Sequence, residues 1–292
     1  MSAWPERVVL LGASGHIGRA LQVRLALEGV PVVGHTSKTL DLIRPEALAA
    51  LDPVLGPGTA LVFASALTPD RGQNPDTLMA NVAMAANLAR YLSGRVVGLC
   101  VNVGSDAVYG FDVNPVTEDT PVSPAGYYAL GKFTAERVMD LAARAGKLPL
   151  LSLRVTGVYG PGDPHGSYGP NGFARSLCKD RSLRIFGEGE EERDHVYVDD
   201  VAALMAALIR ARATGVLNLA TGESRPFADV VKTIRGLVPY EVTVTQAPRA
   251  GAVTHRRFDT ARLQRAVPGF AFTPFDEGLR ATLAAFGALP RG

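Results

Sequence analysis

The chain has only two cysteines, Cys100 and Cys178, a single tryptophan, and no long run of like charge. Two cysteines make no disulfide framework, and neither sits at metal-ligand spacing from a second ligand, so a reducing, cytosolic setting is expected and no metal. Lys and Arg number 30 and Asp and Glu 28, a net charge of +2. Bulk electrostatics therefore gives no reason to expect nucleic acid or a membrane surface as partner. The longest stretch without a charge, Pro53 to Pro69, is 17 residues broken by Gly56, Pro57 and Gly58, too short and interrupted for a membrane helix. Met1 to Arg7 mixes charge and proline ahead of a short apolar run, unlike a signal peptide. What is present is ordinary globular material, 47% hydrophobic and 20% charged over 292 residues. That composition argues against disorder and fits one large or two small domains.

The first 160 residues alternate apolar runs with helical patterns. Strands are expected at Arg7–Leu11, Val30–Val33, Ala60–Ala64, Val96–Val103 and Leu150–Leu153. Helices are expected at Arg19–Glu28, Pro45–Leu51, Thr77–Leu92 and Tyr127–Ala145. Near-continuous Val/Leu runs mark strands covered on both faces, and strand–helix–strand order implies a parallel sheet. The expected fold is α/β, a Rossmann-type doubly wound parallel sheet with a smaller, interleaved C-terminal substrate lobe. Residues 1–160, with elements from about 190–222, build the domain that carries this sheet, and 161–292 mainly the lobe. After Gly160 the glycine- and proline-dense stretch Pro161–Gly172 reads as loop. Short elements follow at Leu183–Phe186, Asp199–Arg212, Val216–Leu219, Phe227–Leu237 and Asp276–Phe286.

Three motifs carry chemistry. Gly12-x-x-Gly15-x-x-Gly18 lies between the first strand and helix, where glycines let backbone approach a diphosphate at a helix N-terminus. Tyr128-x-x-x-Lys132 puts a phenol and an ammonium on one helix face. The ammonium is expected to lower the phenol from its usual value near 10 and equip it for proton transfer. Gly104-Ser105-Asp106-Ala107-Val108-Tyr109-Gly110 follows a strand, at the end where open α/β sheets hold ligands. Singly, each has a plainer reading: a tight turn, a surface pair, a serine capping its own backbone.

In this order the three resemble the short-chain dehydrogenase/reductase superfamily, in its extended branch of NAD(P)-dependent sugar epimerases, dehydratases and ketoreductases. Asn81-Val82, Arg154-Val-Thr-Gly-Val-Tyr159-Gly-Pro-Gly162, Gly187-Glu-Gly189, Arg193-Asp194-His195-Val196-Tyr197-Val198-Asp199-Asp200, Asn218-Leu-Ala-Thr-Gly222 and Asp276-Glu277-Gly278-Leu279 resemble its later landmarks. The resemblance implies catalysis by Ser105, Tyr128 and Lys132, with Tyr128 as general acid/base. It implies cofactor contacts from Gly12, Ser14, Gly15, His16, Ile17 and Gly18, from Asp41 and Leu42 near the adenine, from Ala64, Ala66 and Asn81, and from Tyr128 and Lys132. Ser105, Asp106, Arg193 and Arg249 would meet the substrate, the two arginines clamping its diphosphate.

The second strand ends Val33-Gly34-His35-Thr36-Ser37-Lys38, with none of the carboxylates that usually meet an NAD ribose. Thr36, Ser37 and Lys38 suit a 2′-phosphate, so NADP(H) is favoured over NAD(H). The family's dehydratases carry Thr-Asp-Glu where this chain has Ser105-Asp106-Ala107, which argues against 4,6-dehydration. The expected function is hydride transfer on a nucleotide-activated sugar, 4-ketoreduction ahead of 4-epimerisation, with a non-catalytic dinucleotide sensor as the reading from another class. Two positions depart from the pattern. Gly157 replaces an asparagine that often touches the diphosphate, and His195 fills an aromatic position and is read as structural. Apolar faces on helices Thr77–Leu92 and Tyr127–Ala145 imply a homodimer.

Overall fold

The computed structural model describes residues 4–165 and 168–289; Met1 to Ala3 of the first segment, and residues 166 and 167 of the expected loop, lie outside them. The apolar runs form strands β1 (Arg7–Leu11), β2 (Val32–His35), β3 (Thr59–Phe63), β4 (Leu99–Val103) and β5 (Leu150–Val155). With a later strand, Gly215–Leu219, they make one six-stranded sheet, parallel throughout. Its order is β2-β1-β3-β4-β5 and then the late strand. This is an α/β fold in Rossmann-like order.

Side-chain alternation explains why these strands tolerate no polar face. In β1, Val8 and Leu10 point to one side and Val9 and Leu11 to the other, and all four are buried. The first side packs under Leu21 and Leu25 of helix α1 (His16–Leu27). The second packs under Met84, Leu88 and Leu92 of α2 (Pro75–Leu92) and Met139 of α3 (Tyr127–Gly146).

Helix starts differ from the sequence expectation for local reasons. α2 begins two residues early because Asn74 caps it: its side chain accepts from Thr77 N at 3.0 Å and Pro75 occupies the first turn. α1 begins three residues early, inside the glycine motif, where apolar periodicity gives no signal. Pro45–Leu51 is a 3₁₀ helix.

Beyond β5 the chain leaves the sheet and returns. Strand β6 (Gly157–Tyr159) is followed by helix α4 (Pro170–Asp180), whose start corrects the expectation of loop through Gly172. Next come β7 (Ser182–Phe186), β8 (Glu192–Tyr197), α5 (Val198–Arg210) and β9 (Gly215–Leu219), the sixth strand of the main sheet. β10 (Ser224–Pro226), α6 (Phe227–Leu237), β11 (Thr243–Ala247), α7 (Ala261–Ala266) and α8 (Phe275–Phe286) complete the chain. β10, β8 and β6 form a small sheet, and β11 pairs in parallel with β7. A separate core of Phe173, Leu177, Leu183, Ile185, Phe227, Ile234, Leu279 and Leu283 fills this second layer. Asp200 of α5 ties the layers together, accepting from Thr273 N at 2.9 Å and Thr273 Oγ1 at 2.8 Å.

One buried ion pair crosses the main core. Arg154 of β5 donates to both carboxylate oxygens of Glu136 on α3, Nη2 to Oε1 at 2.6 Å and Nε to Oε2 at 3.0 Å. Breaking such a pair from one side strands a desolvated charge. Arg154→Met is expected to cost about 3–5 kcal/mol, and the double substitution Glu136→Met/Arg154→Met clearly less, read as urea unfolding midpoints.

Candidate active site

Because the strands are parallel, the carboxyl ends of β1, β3 and β4 lie side by side. The chain turns opposite ways after β1 and β2, which opens a crevice at the end of β1. The glycine motif is that turn. Gly12 has φ +94°, and a Cβ there would sit 2.8 Å from the Ala64 carbonyl carbon at the end of β3. A Cβ on Gly18 would come within 2.2 Å of Gly12 O. Only glycine lets α1 start this close to the sheet, with Ser14 and Gly15 exposed at its N-terminal turn and Ile17 half-buried beneath. Open amides at a helix start, approached by side-chain-free backbone, fit a dinucleotide diphosphate.

His16, first in α1, is buried. Its Nε2 lies 3.2 Å from Pro161 O and its Nδ1 3.8 Å from Asp163 Oδ1. Burial holds its pKa below the usual imidazole value, with Asp163 opposing. At the end of β2 the chain makes a tight turn, Thr36 N donating to Thr39 Oγ1 at 2.9 Å, which leaves Ser37 and Lys38 exposed. Asp41 caps its own turn through Ile43 N at 3.0 Å, and Leu42 is buried with its carbonyl bonded to Asn87. Asn81 is buried. Its amide pairs both ways with the Leu67 backbone, at 2.7 and 3.0 Å, and so holds the loop that carries Ala64 and Ala66.

Ser105, Tyr128 and Lys132 come together past the end of β4. Ser105 caps a short 3₁₀ turn, Asp106–Val108, through Ala107 N at 3.2 Å. Tyr128 and Lys132 lie one turn apart on α3. The electrostatics correct one expectation. Lys132 is buried and its Nζ donates to Val103 O, rather than serving to acidify Tyr128. Burial pushes the Tyr128 phenol up to about 12, with the neighbouring Ser105 hydroxyl opposing and Asp106 adding to the rise. Burial likewise pushes Lys132 down to about 8, partly offset by the Glu136 carboxylate. Desolvation is the leading cause of both shifts because both groups have left water. At neutral pH the phenol keeps its proton.

Glu136 is one further turn along the same face. Its partner Arg154 also donates to Tyr109 Oη at 2.7 Å, and Tyr109 Oη donates to Asn218 Oδ1 at 2.8 Å. The loop bearing Ser105 is thereby fastened to the helix bearing Tyr128.

A cavity of about 360 Å³ opens beside Asp106. Its walls include Asn171, Arg193, His195, Phe227 and Arg256. Arg193 is in the wall, donating to Thr254 O at 2.7 Å and Thr254 Oγ1 at 3.0 Å. Arg249, expected as its companion, borders that wall: it is drawn to Glu190, lies 3.5 Å from Glu191 and donates to Phe186 O at 3.2 Å. Sequence reasoning missed Arg256. Only 5% exposed, it donates to Asp106 O at 2.9 Å, Asp106 Oδ2 at 3.1 Å, Tyr109 O at 2.8 Å and Gly110 O at 3.2 Å. Nothing in the run His255-Arg256-Arg257 separates a buried arginine from solvated ones. Burial raises the Asp106 carboxyl above its usual range, against the pull of Arg256. Among the described residues no three His, Cys, Asp or Glu side chains gather as metal ligands, and no helix is long and apolar enough to cross a membrane.

The sheet order, glycine turn and Tyr–Lys helix define the class: an α/β protein built to hold a dinucleotide. The chain belongs to the NAD dependent epimerase/dehydratase family, whose model matches residues 8–220. It is 28% identical to the UDP-glucose 4-epimerase of Mycolicibacterium smegmatis, over 96% of this chain and 98% of that one. Among solved structures it resembles RMD from Pseudomonas aeruginosa, complexed with NADPH (TM-score 0.85, 24% identity, 96% of this chain and 98% of that one). It also resembles the Thermus thermophilus UDP-glucose 4-epimerase in complex with NAD (TM-score 0.84, 23% identity, 96% and 99%). These two likenesses are of fold.

The depressed Lys132 pKa has a thermodynamic signature. Between about 8 and the ordinary 10.5, the unfolded chain binds a proton that the folded chain has lost, so stability rises with pH across that window. Lys132→Met removes the term. In ligand-free protein the substitution is expected to be stabilising below pH 8, with its advantage over wild type shrinking toward pH 10, as read from urea midpoints.

Proposed function

We propose that the chain is an NAD(P)-dependent oxidoreductase acting on a nucleotide-activated sugar, with 4-ketoreduction as the principal reading. In this reading residues 1–160, with elements from about 190–222, hold the dinucleotide and the remainder mainly forms the substrate lobe. The observation that carries the proposal is the cluster of Ser105, Tyr128 and Lys132, two strands along the same sheet edge from the glycine turn. A nicotinamide held here would supply the hydride. Tyr128 Oη would give its proton to the sugar's carbonyl oxygen, Ser105 Oγ would donate to the same oxygen, and Lys132 would hold the nicotinamide ribose. A ketone that takes one hydride at carbon and one proton at oxygen leaves as the alcohol, and atoms and charge balance.

Burial favours the Tyr128 phenol, the form that delivers a proton to a ketone, whether in a reductase or in the closing half of an epimerisation. The M. smegmatis relative favours 4-epimerisation as the second reading. The lack of a carboxylate at the end of β2, with Lys38 exposed there, supports NADP(H) over NAD(H). Two free cysteines, one of them buried, fit a cytoplasmic protein.

Met79 on α2 and Tyr127, Leu130 and Leu141 on α3 are exposed apolar residues, and they support pairing of two copies through these helices. Sedimentation is expected to give about twice 30.8 kDa; a monomer at micromolar concentration contradicts the pairing.

The enzymatic reading is tested by Tyr128→Phe, expected to lower turnover about 10²–10⁴-fold while dinucleotide affinity stays within a few-fold. With candidate NDP-4-keto sugars, stoichiometric loss of reduced-nicotinamide absorbance, faster with NADPH than NADH, supports the reductase. Sugar interconversion without net cofactor turnover supports the epimerase instead.

A further inference from the structure

His195 makes the aromatic contacts its sequence position implies, edge-on to Tyr159 at 6.5 Å and Phe227 at 5.8 Å and tilted against Phe275 at 6.2 Å between ring centres. A phenylalanine would serve that packing equally well. The imidazole carries a burden that phenylalanine lacks. The residue is 6% exposed, and among the described residues its buried Nδ1 has no hydrogen-bond partner. Buried polar atoms are rarely left unpaired, because the penalty is the full desolvation of the group.

Its surroundings indicate what would pair with it. His195 is part of the wall of the 360 Å³ cavity, together with Arg193 and Arg256. Arg193 and His195 are two apart on β8 and share a strand face. Across the β6–β8 ladder the partner of His195 is Gly157. Its missing side chain leaves the ring edge uncovered: a Cβ there would lie 3.4 Å from His195 Cδ2. The two positions where the chain departs from the family pattern are thus direct neighbours. A half-turn of the ring exchanges Nδ1 with Cδ2 and so brings a nitrogen to that open edge.

We propose that His195 is a substrate-contacting residue, its imidazole N–H donating to a phosphate oxygen of the substrate's diphosphate beside Arg193. The proposal rests on the nucleotide-sugar reading above. Charge selects the ligand atom. Burial, then the nearby Arg225 and Arg193 guanidiniums, hold the ring pKa down to about 3, so the ring is neutral in use. A neutral N–H adds a donor to an anion site without adding repulsion among Arg193, Arg225 and Arg256.

His195→Phe tests this with two effects of opposite sign. Filling the aromatic cluster without an unpaired nitrogen is expected to raise Tm. Loss of the donor is expected to weaken UDP and UDP-glucose equally, each by about 10-fold or more, to weaken inorganic pyrophosphate as a competitor by the same factor, and to leave NADPH affinity within about 3-fold. Unchanged UDP affinity overturns the assignment. Loss confined to UDP-glucose moves the contact to the sugar, and loss for UDP with pyrophosphate unaffected moves it to the nucleoside; either result also overturns it. Wild-type protein that binds none of the UDP-, GDP- and dTDP-sugars removes the nucleotide-sugar reading itself, and this proposal with it.

Discussion

The arrangement of the site depends on one buried carboxylate. Glu136 is buried, so its charge requires a partner, and Arg154 supplies one through two parallel N–H bonds. Because Arg154 belongs to β5 and Glu136 to α3, the pair sets the helix at a fixed height on the sheet. Because the same guanidinium reaches Tyr109, it also sets the loop that presents Ser105. Lys132 lies one turn from Glu136 and feels its field. A single neutralisation requirement thus fixes the distance between the proton-bearing phenol, the ammonium and the serine.

Most of the sheet was legible in the sequence, because strands covered on both faces leave unbroken Val/Leu runs, as in β1, β3 and β4. The glycine turn and the Tyr128–Lys132 pair were legible because local backbone and helix geometry confine such residues to a few spacings. The elements that escaped are those whose register is set from far away. β6 is three residues long and exists because β8 pairs with it; Gly157 and Val158 give no periodic signal. α4 begins at Pro170 inside a glycine-rich stretch, where apolar patterning is silent.

The site's electrostatics were less legible than its residues. Spacing places Lys132 beside Tyr128 but says nothing about the water each loses on folding, and that loss dominates both shifts. Arg256 is likewise invisible in sequence, because its role comes from three backbone carbonyls and one carboxylate converging from 146 to 150 residues away. His195 was half legible. Its aromatic packing follows from its position, whereas its unpaired nitrogen shows only in the structure.

The engagement of Arg249 with Glu190 and Glu191 has a consequence for any anion that approaches it. The guanidinium is already neutralised, so an incoming phosphate displaces carboxylates instead of meeting a bare cation. Dissolved salt then screens the broken contact as well as the new one, and ionic strength largely cancels from the exchange. Discrimination at that arginine would rest on shape and bond number, and much less on long-range attraction.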